Sequence, residues 1–378
     1  MSWGTHACTI LRFLSTNSVT LCAADVRVGI PGGNCSFPRR GRGLRMKRVL
    51  KYVAWGIAAI VVLALAAWLW AYQVATSRYD KQWTVHKADF PIPFPLRDDE
   101  LAALRADRIA AGTSAKDPLA GVDLQAVALE RAIRNGRHLV ESRTSCNGCH
   151  ANDFGGASII DVAFVGHWVA PNLTSGEGSV TKGFTANDWD RAVRHGVRHN
   201  GRTSSMPSQD FVNLTDHELS DIAAYIRSMP PVNRDVGAVK FGPVFAFLIA
   251  TDPKSSVAFT IDHDKPHVVE PPVEAPSVEL GQHIVQVCRG CHGPQLSGGK
   301  MVGDPDMPIV ANLTPHETGL KSWSESDFIH ALREGKRKDG TAISRMMPWK
   351  AYGQMTDTEL KAVWVYLQTV PAVEKGNH

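Results

Sequence analysis

The pentapeptide Cys-x-x-Cys-His occurs twice in this chain of 378 residues, as Cys146–His150 and as Cys288–His292. With 7 Cys and 15 His in the chain, random order would produce only roughly 0.005 such motifs. The spacing suits one chemical task, because each thiol can add to one vinyl group of a haem while the adjacent histidine lies beneath the iron. The motifs therefore predict two covalently bound haem c groups. The predicted attachment residues and proximal iron ligands are Cys146, Cys149, Cys288 and Cys291, with His150 and His292.

Two other uses of paired cysteines are possible. A zinc ribbon would place four thiolates on one metal ion, but zinc gives no reason for a histidine to follow both pairs directly. A thioredoxin-like redox pair would need a βαβ pattern around the motif, and neither copy has one. Both alternatives therefore explain less of the sequence than haem attachment does.

The remaining composition separates the N-terminus from the rest. Residues 1–51 contain nine Lys or Arg and one acid, a net charge of +8, whereas the rest of the chain has 32 basic and 36 acidic residues, a net charge of −4. The basic charge therefore belongs to the N-terminus and does not indicate nucleic-acid binding by the folded part. The cysteines outside the motifs all precede residue 46: Cys8, Cys22 and Cys35.

A long run without a single charged residue, Tyr52–Ser77, predicts a membrane-spanning helix. Such a helix would be about 39 Å long, enough for a hydrocarbon core of roughly 30 Å. The basic residues before it predict that the N-terminal side is cytoplasmic, and that everything after Arg78 lies on the periplasmic side of a bacterial cytoplasmic membrane. A cleaved signal peptide is the alternative, but its apolar region is shorter. We therefore predict an uncleaved, single-pass anchor over residues 46–78.

Met46-Lys47-Arg48 resembles a natural N-terminus for such an anchor. Residues 1–45 show no helical or strand periodicity and are rich in Gly, Ser and Arg. The hypothesis is that this extension is either disordered or a mis-annotated addition before the true start at Met46.

An internal repeat follows residue 120. The matching pairs are Val169–Thr174 with Ile309–Thr314, Asp188 with Asp327, Met206-Pro207 with Met347-Pro348, Leu214–Leu219 with Met355–Leu360, and Ala224–Ile226 with Val365–Leu367. The repeat predicts duplication of one haem-binding domain. The predicted segments after the anchor are a connecting segment (79–120), domain 1 (121–235), a linker (236–276) and domain 2 (277–374).

Each half is predicted to be mainly helical. One helix precedes each motif, a middle helix begins near Thr185 or Ser324, and a last helix begins with a capping box after Thr215 or Thr356. The segments between add a helix over Asp98–Ala111, a packed apolar stretch over Phe241–Thr251 that is too short to span a bilayer, and a stiff Pro-rich boundary over Pro266–Pro276.

The repeat also nominates the second axial ligand of each haem. Met206-Pro207 follows His150 at almost the same distance along the chain as Met347-Pro348 follows His292. A methionine thioether stabilises ferrous iron and raises the potential. Met346 has no counterpart in the first half, where Ser205 precedes Met206, and Met307-Pro308 lies only 15 residues after His292. Four histidines could offer bis-histidine ligation, but each faces a non-histidine in the other half and is predicted to be a surface residue: His195, His199, His217 and His330.

These features resemble class I cytochrome c domains. The second half is similar to the cytochrome c subunits of membrane-bound alcohol, gluconate and fructose dehydrogenases, on the stretches Asn312–Gly319, Trp323–Phe328, Ala331–Gly335, Asp339-Gly340 and Met347-Pro348. Over about residues 125–375 the resemblance implies class I cytochrome c domains. With the helical pattern, the repeat and the anchor, the predicted fold is all-α, with two tandem class I cytochrome c domains preceded by a single transmembrane helix. The resemblance also implies His150 and His292 as proximal ligands, Met206 and Met347 as distal ligands, and Gly136 or Gly281 packed near Tyr225 or Tyr366. Those subunits hold three haems, whereas this chain has two motifs.

The predicted function is single-electron transfer from a dehydrogenase or quinol-oxidising complex, through two haems, to a terminal oxidase or soluble carrier. Because both iron faces are predicted to be ligated, the protein is expected to be a carrier and not an enzyme. The alternatives are a dihaem enzyme with one catalytic haem, of the peroxidase or thiosulfate-oxidising type, and a fixed cytochrome subunit of a respiratory complex.

Overall fold

A computed structural model describes residues 42–114, 116–300 and 308–376. Its first element is a helix of 38 residues, α1 (Arg42–Tyr79), of which Met46–Tyr79 is long and apolar enough to cross a membrane. The predicted anchor over 46–78 is thus helical throughout, and the helix begins earlier, at Arg42. Of the predicted extension over residues 1–45, residues 1–41 lie outside the described residues. The chain divides into two structural units between Val61 and Val62, and every contact described below lies within the second unit.

In the first half of the repeat (residues 121–235) and the connecting segment before it, most of the regular secondary structure is helical. Their helices are α2 (Asp98–Ala110), α3 (Leu124–His138), α4 (Cys146–His150), α5 (Ala186–Val193) and α6 (Asp216–Ser228). A π-helical turn, Leu139–Thr144, joins α3 to the first motif. The middle and last helices begin as predicted, since Thr185 and Thr215 each form a capping box with the third residue of the helix.

The prediction of an all-α fold is wrong in one place. A three-stranded antiparallel sheet is formed by β1 (Ala157–Val162), β2 (Gly166–Ala170) and β3 (Lys240–Phe241), with Val162 opposite Gly166 and Gly166 opposite Phe241. Both strands of the hairpin are rich in β-branched or aromatic residues, which favour a pleated surface. The third strand comes from the linker, so local sequence could not reveal the pairing.

The linker and the second half of the repeat (residues 277–374) contain the remaining helices. These are α7 (Pro243–Thr251), α8 (Val278–Val285), α9 (Arg289–His292), α10 (Glu325–Glu334), α11 (Trp349–Tyr352) and α12 (Asp357–Leu367). Ser324 and Thr356 form the predicted capping boxes of α10 and α12. In the apolar stretch of the linker, Ala246 and Ile249 of α7 pack with Ala75 near the end of α1. The ring centroid of Phe245 lies 4.5 Å from that of Trp168 in β2, so the stretch also contacts the first half, on which it was predicted to pack.

In each half, the first and last helices cross at a glycine. A side chain at Gly136 would overlap the backbone carbonyl of Asp221, and one at Gly281 would overlap that of Ala362. Tyr225 and Tyr366 lie beside these glycines, as predicted. The crossing therefore requires glycine in both halves, because any Cβ would separate the helices that frame each motif.

Two separate hydrophobic cores form around the two motifs. The first is built on buried residues such as Phe154, Leu219 and Ile222, and the second on residues such as Ile284 and Leu360. The first core also includes Phe90 from the connecting segment. The first half is therefore covered by an additional layer, the connecting segment.

Candidate haem sites

The first motif forms one short helical turn, α4. Cys146 and Cys149 are three residues apart on this turn and so lie on the same side, and their thiols are not joined in a disulfide. Cys146 is half-buried and Cys149 is exposed, whereas His150 is buried. Two free thiols at an open edge, with a buried imidazole beside them, fit a haem that is attached at its rim and ligated at its centre.

A backbone carbonyl fixes the ring of His150. Its Nδ1 lies 2.8 Å from the oxygen of Pro171, so the Nδ1 hydrogen is donated to that carbonyl and the lone pair of Nε2 is left free for a metal. Burial lowers the pKa of His150, and the hydrogen bond to Pro171 opposes this only in part. The ring is therefore neutral at physiological pH, as an iron ligand must be.

The second motif repeats this arrangement. The Nδ1 of His292 lies 2.7 Å from the oxygen of Ala311, and burial again lowers the pKa of the imidazole. Burial also raises the pKa of the Cys288 thiol to about 12. The residues around the second motif thus fit a covalently attached haem as well as those around the first.

The two orienting carbonyls were missed as functional groups in the sequence. Each is followed by an asparagine whose side-chain oxygen accepts bonds from the backbone and hydroxyl of a threonine: Asn172 from Thr174 at 2.9 and 2.8 Å, and Asn312 from Thr314 at 2.9 and 2.8 Å. The Asn-Leu-Thr triplet shared by both halves was the available signal. It holds rigid the loop that positions each histidine.

The candidate distal methionines lie with the cysteines of their own half. Met206 and Cys146 both pack against the first core, and Met347 and Cys288 both pack against the second. Met346 is instead 62% exposed, which favours Met347 as the ligand. Met307 lies outside the described residues.

The prediction for the four other histidines is half wrong. His199 and His330 are exposed, as predicted. His195 and His217 are buried, His195 completely. The linker covers both: His263 and His267 contact the ring of His195, and Glu270 lies 3.0 Å from Nδ1 of His217. Comparison of the two halves could not reveal this cover, since the linker belongs to neither.

The two candidate sites adjoin each other through reciprocal ion pairs. His138 of the first half lies 2.8 Å from Glu359 of the second, and His283 of the second half lies 2.9 Å from Glu218 of the first. Arg143 reaches both carboxylates, at 2.9 Å from Glu218 and 3.8 Å from Glu359. Burial would raise the pKa of Glu218, but Arg143 and the hydrogen bond from His283 outweigh it and lower the pKa to about 2.

The loop that follows Met206 also contacts the second motif. A side-chain carbon at Gly290, between Cys288 and Cys291, would lie only 2.5 Å from the carboxylate of Asp210. Burial raises the pKa of this carboxyl group to about 6. The distal loop of one site therefore lies directly against the attachment motif of the other.

The sequence matches the protein family described as cytochrome C oxidase, cbb3-type, subunit III, over residues 115–226 and 278–367. This match covers more than half of the chain and includes both motifs, so the chain belongs to this family of c-type cytochromes. It therefore carries covalently bound haem c and takes part in electron transport.

Named relatives are similar over shorter fractions. The chain is 25% identical over 258 residues to the fructose dehydrogenase cytochrome subunit of Gluconobacter japonicus, covering 62% of this chain and 52% of the relative. It is 24% identical over 278 residues to the cytochrome c subunit of the quinone alcohol dehydrogenase of Gluconobacter oxydans, covering 66% and 57%. A dihaem c-type cytochrome of Cereibacter sphaeroides is 23% identical over 237 residues, covering 55% and 73%. The chain thus spans about half the length of the first two relatives.

Proposed function

We propose that the chain is a membrane-anchored dihaem cytochrome c with two tandem haem domains on the periplasmic side of a bacterial cytoplasmic membrane. It would relay single electrons from a dehydrogenase or quinol-oxidising complex to a terminal oxidase or soluble carrier. The observation that carries this proposal is the repetition of one ligand arrangement. Each half has two free thiols, a histidine bound to a carbonyl and a methionine against one core.

The protein's own groups would have distinct tasks. Cys146, Cys149, Cys288 and Cys291 would attach the two haems, and His150 and His292 would present Nε2 to the irons. Met206 and Met347 would fill the opposite faces and raise the potentials. Bound haem supplies a one-electron couple of iron. The buried apolar residues around each site would exclude water, and this exclusion would help to set the redox potential.

The contacts between the sites support direct transfer between the two haems. Asp210 lies against Gly290 of the second motif, and the reciprocal His–Glu pairs hold the halves together. No rearrangement would then be needed to bring the two redox centres near each other. Electrons would enter at one domain and leave from the other.

The membrane location rests on α1 and on the charge around it. The helix ends at Tyr79, and its last turns pack on α7 through Ala75, Ala246 and Ile249. The basic residues before the helix favour a cytoplasmic N-terminus, so the haem domains would face the periplasm.

Methionine ligation can be tested with Met206→Ala and Met347→Ala, using Met346→Ala as the matched control. In a spectroelectrochemical titration of the full-length protein, each ligand variant should lower the midpoint potential of one haem and change its reduced spectrum. The control should titrate like the wild type. An unchanged potential in either ligand variant would exclude that methionine as the ligand.

A fixed subunit of a dehydrogenase complex is the second candidate, because the relatives from Gluconobacter bear that description. Purification from native membranes distinguishes the two. A fixed subunit should retain a dehydrogenase at constant stoichiometry through detergent extraction, whereas a mobile carrier should separate from its donor and still accept electrons from it.

A further inference from the structure

Four side chains, two of them fully buried and two partly buried, converge outside the candidate haem sites. His86 comes from the connecting segment, Asp190 and His195 come from α5 and its end, and His267 comes from the linker. The potential ligand atoms of these four residues, the His–Asp cluster, all lie within 4.8 Å of one another. Asp190 and His195 have no solvent exposure at all.

Three separations inside the cluster lie near those of a tetrahedral metal centre. Nε2 of His195 lies 3.0 Å from Nε2 of His267 and 3.5 Å from Oδ2 of Asp190, and Nε2 of His86 lies 3.9 Å from the same oxygen. Metal–ligand bonds of about 2.0–2.1 Å in tetrahedral geometry put neighbouring ligand atoms roughly 3.3 Å apart. An ion could therefore bind with only small shifts of the side chains.

Hydrogen bonds on the far side of the rings determine where the lone pairs point. Nε2 of His263 lies 2.8 Å from the carbonyl of Ala258, so it donates, and Nδ1 of the same ring is an acceptor. This Nδ1 lies 3.1 Å from Nδ1 of His195, which must then donate to it. The hydrogen of neutral His195 is thereby used, and its Nε2 presents a lone pair to the cluster.

The ring of His86 is oriented in the same way. Its Nδ1 lies 3.3 Å from the carbonyl of His263, and its Nε2 faces the cluster, 3.9 Å from Oδ2 of Asp190. Nε2 of His267 lies 3.0 Å from that of His195 and 3.6 Å from Oδ1 of Asp190. Histidines that bind metals have this outer hydrogen-bonding pattern.

The carboxylate of Asp190 completes the set. Its Oδ1 pairs with Arg194 at 2.7 Å, but its Oδ2 has no hydrogen-bond partner although it is fully buried. Arg194 is shared with Asp216 at 2.7 Å, so one guanidinium serves two carboxyl groups and contacts only Oδ1 of Asp190. A buried, unpaired carboxylate oxygen is costly, and a cation at the cluster would satisfy it.

We propose that the His–Asp cluster binds one divalent transition-metal ion, for which zinc is the expected occupant. Three imidazoles and one carboxylate suit zinc, and four protein ligands would leave no open position, as in structural sites. The ion would fasten the connecting segment and the linker to the first half. The second half has Ile329 and Glu334 at the positions of Asp190 and His195, so it lacks the site.

The experiment measures metal content in the untagged full-length protein, purified with its haems and without chelators. Mass spectrometry of the metals, with haem counted separately, should find one zinc or other transition ion per chain in addition to the haem iron. Asp190→Asn and His267→Gln should lower this content at least tenfold. The control His199→Gln removes an exposed histidine outside the cluster. This histidine pairs with Asp188, which lies on α5 like Asp190, and the variant should retain the ion.

A variant that fails to fold would not decide the question, so His86→Gln provides a second test at the least buried ligand. Wild-type protein stripped with a chelator should gain thermal stability when zinc is restored, and His86→Gln should gain much less. Wild-type protein that holds no such ion after dialysis against zinc would overturn the proposal. Equal zinc content in wild type and all the ligand variants would also overturn it, and a single proton shared by His195 and His267 would then replace the ion.

Discussion

The same ion pair occurs in both halves of the chain, but in different surroundings. Arg194 pairs with Asp216 at 2.7 Å, with side-chain exposures of 0% and 18%. The equivalent pair in the second half, Arg333 with Asp357, has a similar distance of 2.8 Å but exposures of 34% and 74%. In the first half the guanidinium also bonds Asp190 and the carbonyl of Leu214.

The difference arises from segments outside the repeat. The backbone of Asp216 donates to the carbonyl of Val268 in the linker, and the Ser220 hydroxyl donates to the carbonyl of Pro91 in the connecting segment. These layers remove water from one copy of the pair and leave the other copy in water. The same pair of residue types can therefore interact strongly in one half and weakly in the other, because the energy of an ion pair depends on its dielectric surroundings.

The largest expected effect comes from removing the arginine of the ion pair in each half. Arg194→Ala should destabilise the first half by about 3–5 kcal/mol, because it leaves buried carboxylates without their partner. Arg333→Ala should cost at most about 1 kcal/mol. Chemical unfolding followed by circular dichroism measures both free energies. Equal losses in the two variants would contradict the role assigned to the covering segments.

The second prediction concerns acid. The pKa of Glu218 is about 2 in the fold, against an ordinary 4.5. A lowered pKa stabilises the fold fully above pH 4.5, and this contribution of roughly 3 kcal/mol disappears as the pH falls towards 2. The pKa of Glu359 is also lowered: burial acts to raise it, but the hydrogen bond from His138 and the charge of Arg143 dominate.

Melting temperatures recorded between pH 6 and pH 2 test how much each of the two glutamates contributes to this acid dependence. Arg143 lies closer to Glu218 than to Glu359, so Glu218→Gln should flatten the acid dependence more than Glu359→Gln does. If the two variants gave the same pH profile as the wild type, the reciprocal pairs would not contribute to the stability.

The smallest expected effect concerns a feature that both halves share, the glycine at which the first and last helices cross. Gly136→Ala and Gly281→Ala should each destabilise by about 1–3 kcal/mol, because the new methyl group overlaps a backbone carbonyl of the crossing helix. An alanine in an unobstructed helix would instead stabilise by up to about 1 kcal/mol. Thermal unfolding distinguishes the two signs, and a stabilising effect in either variant would mean that this crossing is less close than described.

The local features of the fold were predictable from the sequence. The four capping boxes at Thr185, Thr215, Ser324 and Thr356 lie where their side chains predict, since capping depends on residues within one helical turn. The close glycine crossings were also predicted, but from a family resemblance. The all-α prediction failed at the hairpin of β1 and β2, whose third strand is supplied by the linker, far from the hairpin in the sequence.

The candidate site residues could be predicted only where they form local sequence patterns. The motifs and the repeated methionines are local patterns. The carbonyls of Pro171 and Ala311 that orient the histidines are backbone groups, which sequence patterns do not reveal. His195 and His217 were misjudged because their burial depends on a linker that neither half of the repeat contains.

The pairs between His138 and Glu359 and between His283 and Glu218 are reciprocal, as the contacts of an isologous interface are. Each half uses the same patch, its first helix and the start of its last, to bind the matching patch of the other. An isologous interface of this kind is complete once two copies have met. Here both patches belong to one chain and already bind each other, so a further copy could associate only through a different surface.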